Sequence, residues 1–167
     1  MINFENAARA AVGVIALLIV APSSAATLEK KQTMAQMLKQ PAVDAKLHRL
    51  ILQVNTNDPA MMNLALNNAT NVAQYYQDLG ENVEIEVVTF GPGLHMLRDD
   101  TSPVKARIKA IKESTPEISF KACGNTQENM HKVENKEIPI IPEATIVKSG
   151  VVRVMELQEQ GWTYVKP

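Results

Sequence analysis

Cysteine is almost absent from this chain: Cys123 is the only one in 167 residues. A lone thiol excludes an intramolecular disulfide, so in an oxidising compartment it is buried, bonded between chains, or kept as a modified thiol. Aromatic residues make up only 4% and histidines number three. None of His48, His95 and His131 stands at a metal-ligand spacing with another histidine or with Cys123, so no metal and no cofactor is expected. Neither sign of charge is in excess, with 17 Lys plus Arg against 18 Asp plus Glu. No basic run is interleaved with aromatics, which argues against nucleic acid as a partner. A Walker loop, a dinucleotide fingerprint and a serine elbow are also missing, since Gly91-Pro92-Gly93 lacks the further glycines and the phosphate-binding lysine.

Long hydrophobic runs are scarce too. The one that stands out, Ala11 to Ala21, follows Arg9 and precedes Pro22-Ser23-Ser24-Ala25-Ala26. It is shorter than the roughly 20 apolar residues of a bilayer crossing, and small residues sit where a signal peptidase requires them. Residues 1–26 are therefore expected to be a signal peptide cleaved after Ala26 or Ala25, with a periplasmic or secreted product and no stable membrane insertion. An uncleaved anchor is the alternative, and it too puts the domain outside the cytoplasm. No cysteine near the cleavage point suggests a lipoprotein. Residues 27–46, lysine-rich with Met34, Met37 and Leu38, read as a linker or N-terminal arm ended near Pro41.

What remains, 47–167, has the size and composition of one globular domain, with 46% hydrophobic and 21% charged residues over the chain. Leu50–Val54 reads as a buried strand. Asp58 then caps, and Pro59 opens, a helix apolar at Met62, Leu66, Ala69, Val72, Ala73 and Tyr76 and closed by Gly80. Val83–Phe90 is a second strand, and Ser102-Pro103 starts a helix through Val104, Ile108 and Ile111 that stops before Pro116. Ile118–Ala122 is a third strand delivering Cys123, with Gly124-Asn125-Thr126 as a turn into a helix around Met130 and Val133. Ala144–Val147, a helix from Ser149 to Gln160 with Val152, Met155 and Leu157 inward, and a short strand Trp162–Val165 complete the chain. Strands alternating with helices predict an α/β fold with a mostly parallel sheet covered on both faces.

In such a sheet, ligands bind in the crevice outside the carboxyl ends of the strands. Three loops gather there and supply the candidate binding residues: Asn55 and Asn57, Gly91 and Gly93, and Gly124, Asn125 and Thr126. Cys123 is the candidate reactive residue, because a thiol where a strand meets a helix N-terminus lies in a field that favours thiolate. The competing reading is a small buried hydrophobe, as free cysteines often are. His95, just after the glycine turn, is a possible assisting base. His131 stands about 12 Å along the helix from Cys123, too far to touch the sulfur, and His48 belongs to the opposite end of the sheet. Asp99-Asp100 reads as a solvated pair favouring a helix start. The asparagines at 63, 67, 68 and 71 read as a polar helix face, one able to meet a neighbouring subunit.

The element order, Phe120-Lys121-Ala122-Cys123-Gly124-Asn125-Thr126, the Phe90-Gly91-Pro92-Gly93 turn, and the tail from Ile141-Pro142-Glu143-Ala144 to Gly161-Trp162-Thr163-Tyr164-Val165-Lys166-Pro167 resemble the DsrE/DsrF-like (YchN-like) family. The resemblance covers roughly Lys46 to Pro167. It implies a five-stranded sheet, assembly into homotrimers or homohexamers, and at Cys123 a cysteine that carries persulfide sulfur between a donor and an acceptor protein. This chain lacks the arginine-bearing helix start that follows the cysteine in sulfur-relay members. Three functions follow: an exported sulfur carrier or transfer accessory using Cys123, a non-catalytic oligomeric module that binds a small ligand or is purely structural, with an inert cysteine, and a redox sensor bridging Cys123 between chains.

Overall fold

The computed structural model describes residues 46–167. The expected signal peptide (1–26) and all of the expected arm except Lys46 lie outside the described residues. Five strands form one sheet: β1 (Leu47–Val54), β2 (Asn82–Thr89), β3 (Ile118–Cys123), β4 (Ala144–Val147) and β5 (Thr163–Val165), in the order β4-β3-β2-β1-β5. Every pairing is parallel. The α/β reading and the five-stranded parallel sheet thus hold.

Four α-helices connect the strands: α1 (Pro59–Asp78), α2 (Lys105–Ser114), α3 (Gly124–Glu134) and α4 (Gly150–Glu159). Asp58 accepts the Ala60 N–H at 2.8 Å, as its N-cap position demands. Gly80 follows the end of α1 at φ +68°, a conformation that costs other residues a steric clash. Pro92 and both glycines of Gly91-Pro92-Gly93 open a 3₁₀ segment, Gly91–Leu97, rather than a free loop. Gly93 is required there: a Cβ would stand 2.1 Å from the Val54 carbonyl oxygen at the end of β1.

Strands β1 to β4 are laid down in one direction, and right-handed crossovers then put α1, α2 and α3 on one face. The return from β4 to β5 reverses direction and puts α4 on the other. Packing agrees. Leu52, Ile85 and Phe120 meet Met62 and Leu66 of α1, Leu94 and Leu97 of the 3₁₀ segment and Ile108 of α2 in the larger core. Each such side chain, fully buried, contributes roughly 1.5–3 kcal/mol. On the opposite face Ile51 and Val88 meet Val154 and Leu157 of α4, with Phe90, Trp162 and Tyr164 at the margin.

Two helix faces differ from expectation. Val152 and Met155 point outward, 46% and 56% exposed, while Val154 and Leu157 are buried, because a single short helix on this face buries only the stripe that meets β1 and β2. The Gly124-Asn125-Thr126 turn does not exist: α3 begins at Gly124 with Cys123 as its N-cap. Val133 near its end is 86% exposed, and only Met130 reaches the core margin.

Candidate functional site

The connections leaving β3 and β4 go to opposite faces, so the carboxyl ends of these two strands bound the crevice expected of an open α/β sheet. Cys123 and Val147, the last residues of the two strands, are register partners. Cys123 thus lies at the switch in strand order, with α3 starting on one side of it and α4 on the other.

Cys123 is 4% exposed. That burial raises its pKa, but the Thr126 hydroxyl and the backbone N–H groups of Gly150, Thr126 and Asn125 lower it by more, and the net position is below the ordinary thiol value. The Thr126 hydroxyl is oriented by its own environment. Its Oγ1 accepts the Gly91 N–H at 3.0 Å, which leaves the hydroxyl proton free to face the sulfur. Asn125 N–H also donates to the Lys148 carbonyl at 3.1 Å, tying the start of α3 to the end of β4. Gly150 enters this cluster because it has no side chain. A Cβ there would stand 2.9 Å from Phe90 Cδ1 and 3.2 Å from the Thr89 carbonyl. Three strand ends therefore converge on one thiol, through Gly91, Thr126 and Gly150.

Two clefts flank the cluster. One, about 550 Å³, is lined by Asn125, Val147, Lys148, Ser149, Val152 and Arg153. The other, about 390 Å³, is lined by Gly91, Pro92, His95, Thr126, Met130 and Glu134. Cys123 itself lies between them rather than in either wall. Arg153 is held by Glu86, donating to it at 2.6 and 3.0 Å. Lys148 is exposed and has no ion pair among the described residues.

Of the residues expected around the thiol, Gly124, Asn125, Thr126 and Gly91 are brought together. Gly93 instead packs on the end of β1. Asn55 lines a separate small hollow with Gln53 and Lys166, and Asn57 is exposed in the same loop. β1 is two strands from β3, roughly 10 Å across the sheet. His95 lies in the second cleft with its Nδ1 2.8 Å from the Thr101 hydroxyl. Burial and the nearby Arg98 push its pKa down. His131 contacts the Lys136 carbonyl at 2.7 Å.

His48 lies within β1, not ahead of it, and meets Glu81 at 2.6 Å. Among the described residues no group of three or more His, Cys, Asp or Glu is placed to hold a metal ion.

Asp100 is exposed, as expected, but it also has a partner in the fold. With Glu134 it grips Arg98, a fully buried guanidinium whose Nη2 donates to the two carboxylates at 2.8 and 2.9 Å. Nothing in Leu97-Arg98-Asp99-Asp100 distinguishes this arginine from a surface one, because Glu134 reaches it only through the fold. Gly150 was also missed as a site residue. A glycine opening a helix three residues after a strand is the signal that would have found it. Asn63 and Asn67 accept from Arg107 of α2.

No family model matches the chain, and no curated protein matches it. Among solved structures it is similar to MTH1491, a protein of unknown function from Methanobacterium thermoautotrophicum, at 25% identity and a TM-score of 0.61. The match covers 72% of this chain and 99% of that one.

Proposed function

We propose that the domain is an exported sulfur carrier of the DsrE/DsrF-like kind, in which Cys123 accepts sulfane sulfur as a persulfide and passes it on. The observation that carries this reading is the thiol set among N–H groups from the starts of two helices and the Thr126 hydroxyl, which favour its anionic form. A persulfide is itself anionic near neutral pH, and the same donors suit it. Loading from polysulfide needs no oxidant. The Cys123 thiolate attacks a sulfane sulfur, an S–S bond forms to Cys123, and the donor's S–S bond breaks with its electron pair leaving on the shortened polysulfide. Lys148, exposed in the cleft lining, favours the approach of such an anion. Polysulfide added to the purified mature protein is expected to add sulfur at Cys123, seen by intact mass spectrometry and removed by a reductant. Equal labelling of the Cys123→Ser variant, or no labelling of the wild type, overturns the reading.

The 4% exposure of Cys123 supports a second reading, a binding or structural module with an inert cysteine. Native alkylation separates the two. A carrier is alkylated while folded, with a pH midpoint below that of an ordinary thiol, whereas an inert cysteine reacts only on unfolding.

A further inference from the structure

The aromatic residues of this chain are few, yet two of its three tyrosines line one groove at the far edge of the sheet from β4, between α1 and β5. The groove measures about 420 Å³, within the range of roughly 300–1,000 Å³ typical of small-molecule sites. Its apolar lining comes from Leu50, Leu52, Val72 and Val83. Along it runs a ladder of rings. His48 stacks on Tyr76 with centroids 3.8 Å apart, and Tyr75 meets Tyr76 edge-on at 5.3 Å. Tyr75 is 61% exposed, so much of one ring is left without a partner among the described residues.

Charge and hydrogen bonding narrow the occupant. The ionisable side chains in the lining are already matched, His48 to Glu81 at 2.6 Å and Arg49 to Glu84 at 3.2 Å. A charged ligand would give up its hydration with no free counter-charge to meet. The carboxamides behave differently along α1. Asn63 and Asn67 are engaged by Arg107, whereas Asn68 and Asn71 line the groove, and their side chains have no hydrogen bond among the described residues. Three apart on a helix, they share a face and present two donors and an acceptor each.

We infer that this groove binds a neutral, flat, ring-bearing small molecule, its ring against Tyr75 and Tyr76 and its polar edge on Asn68 and Asn71. The site is separate from Cys123, which stands on the carboxyl side of the sheet, so its ligand is bound rather than transformed by the thiol.

N-phenyl-1-naphthylamine, a neutral aromatic fluorophore, is a suitable probe for the mature protein. Saturable binding of one probe per chain is expected, at least fivefold weaker in Tyr75→Ala and in Asn71→Arg and unchanged in Leu64→Lys. All three positions are exposed or on the outer side of α1, so the variants keep the fold, which their thermal unfolding checks. Absence of saturable binding, or equal binding by wild type and both groove variants, overturns the inference. Sedimentation in which the groove variants dissociate an oligomer without changing probe binding also overturns it, and gives the groove to a second copy of the chain.

Discussion

At Cys123 two forces act on one sulfur. Burial opposes the thiolate, while the Thr126 hydroxyl and three backbone N–H groups favour it and prevail. Thr126 is the part of that balance a side-chain substitution can remove. Thr126→Val keeps the shape and loses the proton donor, so the alkylation midpoint should move up, whereas Thr126→Ser should leave it near the wild-type value. A midpoint unmoved by either change means the backbone amides alone set the pKa. The folded state lowers the pKa of this acid, so the thiolate contributes stability above the unfolded thiol value of about 8.5, and the contribution is lost as pH falls through the lower folded value. Cys123→Ser should therefore flatten the rise in stability across that window, measured by denaturant unfolding at a series of pH values. The cysteine itself was legible from its place after a strand, and so was Thr126. That the Thr126 hydroxyl is oriented by Gly91 was not, since Gly91 ends a different strand.

Among the elements, α4 has the most to do with the site and gave the least away. Its start, Ser149-Gly150, closes on the end of β2 only because Gly150 has no Cβ, the nearest Phe90 atoms standing at 2.9 and 3.0 Å from where one would be. Gly150→Ala must move either Phe90 or the helix start. A stability loss of about 1–2 kcal/mol is expected, together with an upward shift of the Cys123 midpoint as the Gly150 N–H withdraws. Unchanged alkylation in a destabilised variant would remove Gly150 from the site and leave it a packing residue. The periodicity gives the limits of α4 to within a residue, but of the three residues it turns inward only Leu157 is buried. Val151, Val152, Val154 and Met155 are all apolar, and periodicity cannot rank them. Only Val154 and Leu157 point at Ile51 and Val88, because β1 and β2 are the strands beneath.

Over the molecule as a whole, Arg98 links parts that lie far apart in the chain. Its backbone bridges Ile140 ahead of β4, and its guanidinium binds Asp100 beside it and Glu134 at the end of α3. Arg98 holds both carboxylates below their usual range, and Lys136 adds to this. Acids depressed in this way stabilise the fold at pH values above the unfolded carboxylate range of about 4, and that stability is lost as pH falls through the folded values. Arg98→Met should cost on the order of 2–3 kcal/mol near neutrality, toward the low end for a buried pair because the carboxylates are partly in water. It should also make the remaining stability less sensitive to acid. A variant with an unchanged acid limb in its stability profile would show that the pairing does not couple to folding.

The sequence alone determined which segments are strands and which are helices, where Asp58 and Gly80 begin and end α1, and that the one thiol stands at a strand end. These follow from interactions within a few residues, which caps and periodicity record directly. Tertiary structure decided which strand ends are neighbours. The reversal after β4 put α4 on the second face and Gly150 beside Cys123, the order β3-β2-β1 left Asn55 and Asn57 two strands away, and the helix after β3 brought Glu134 onto Arg98. Contacts between distant segments depend on strand order and register, and no local pattern carries either.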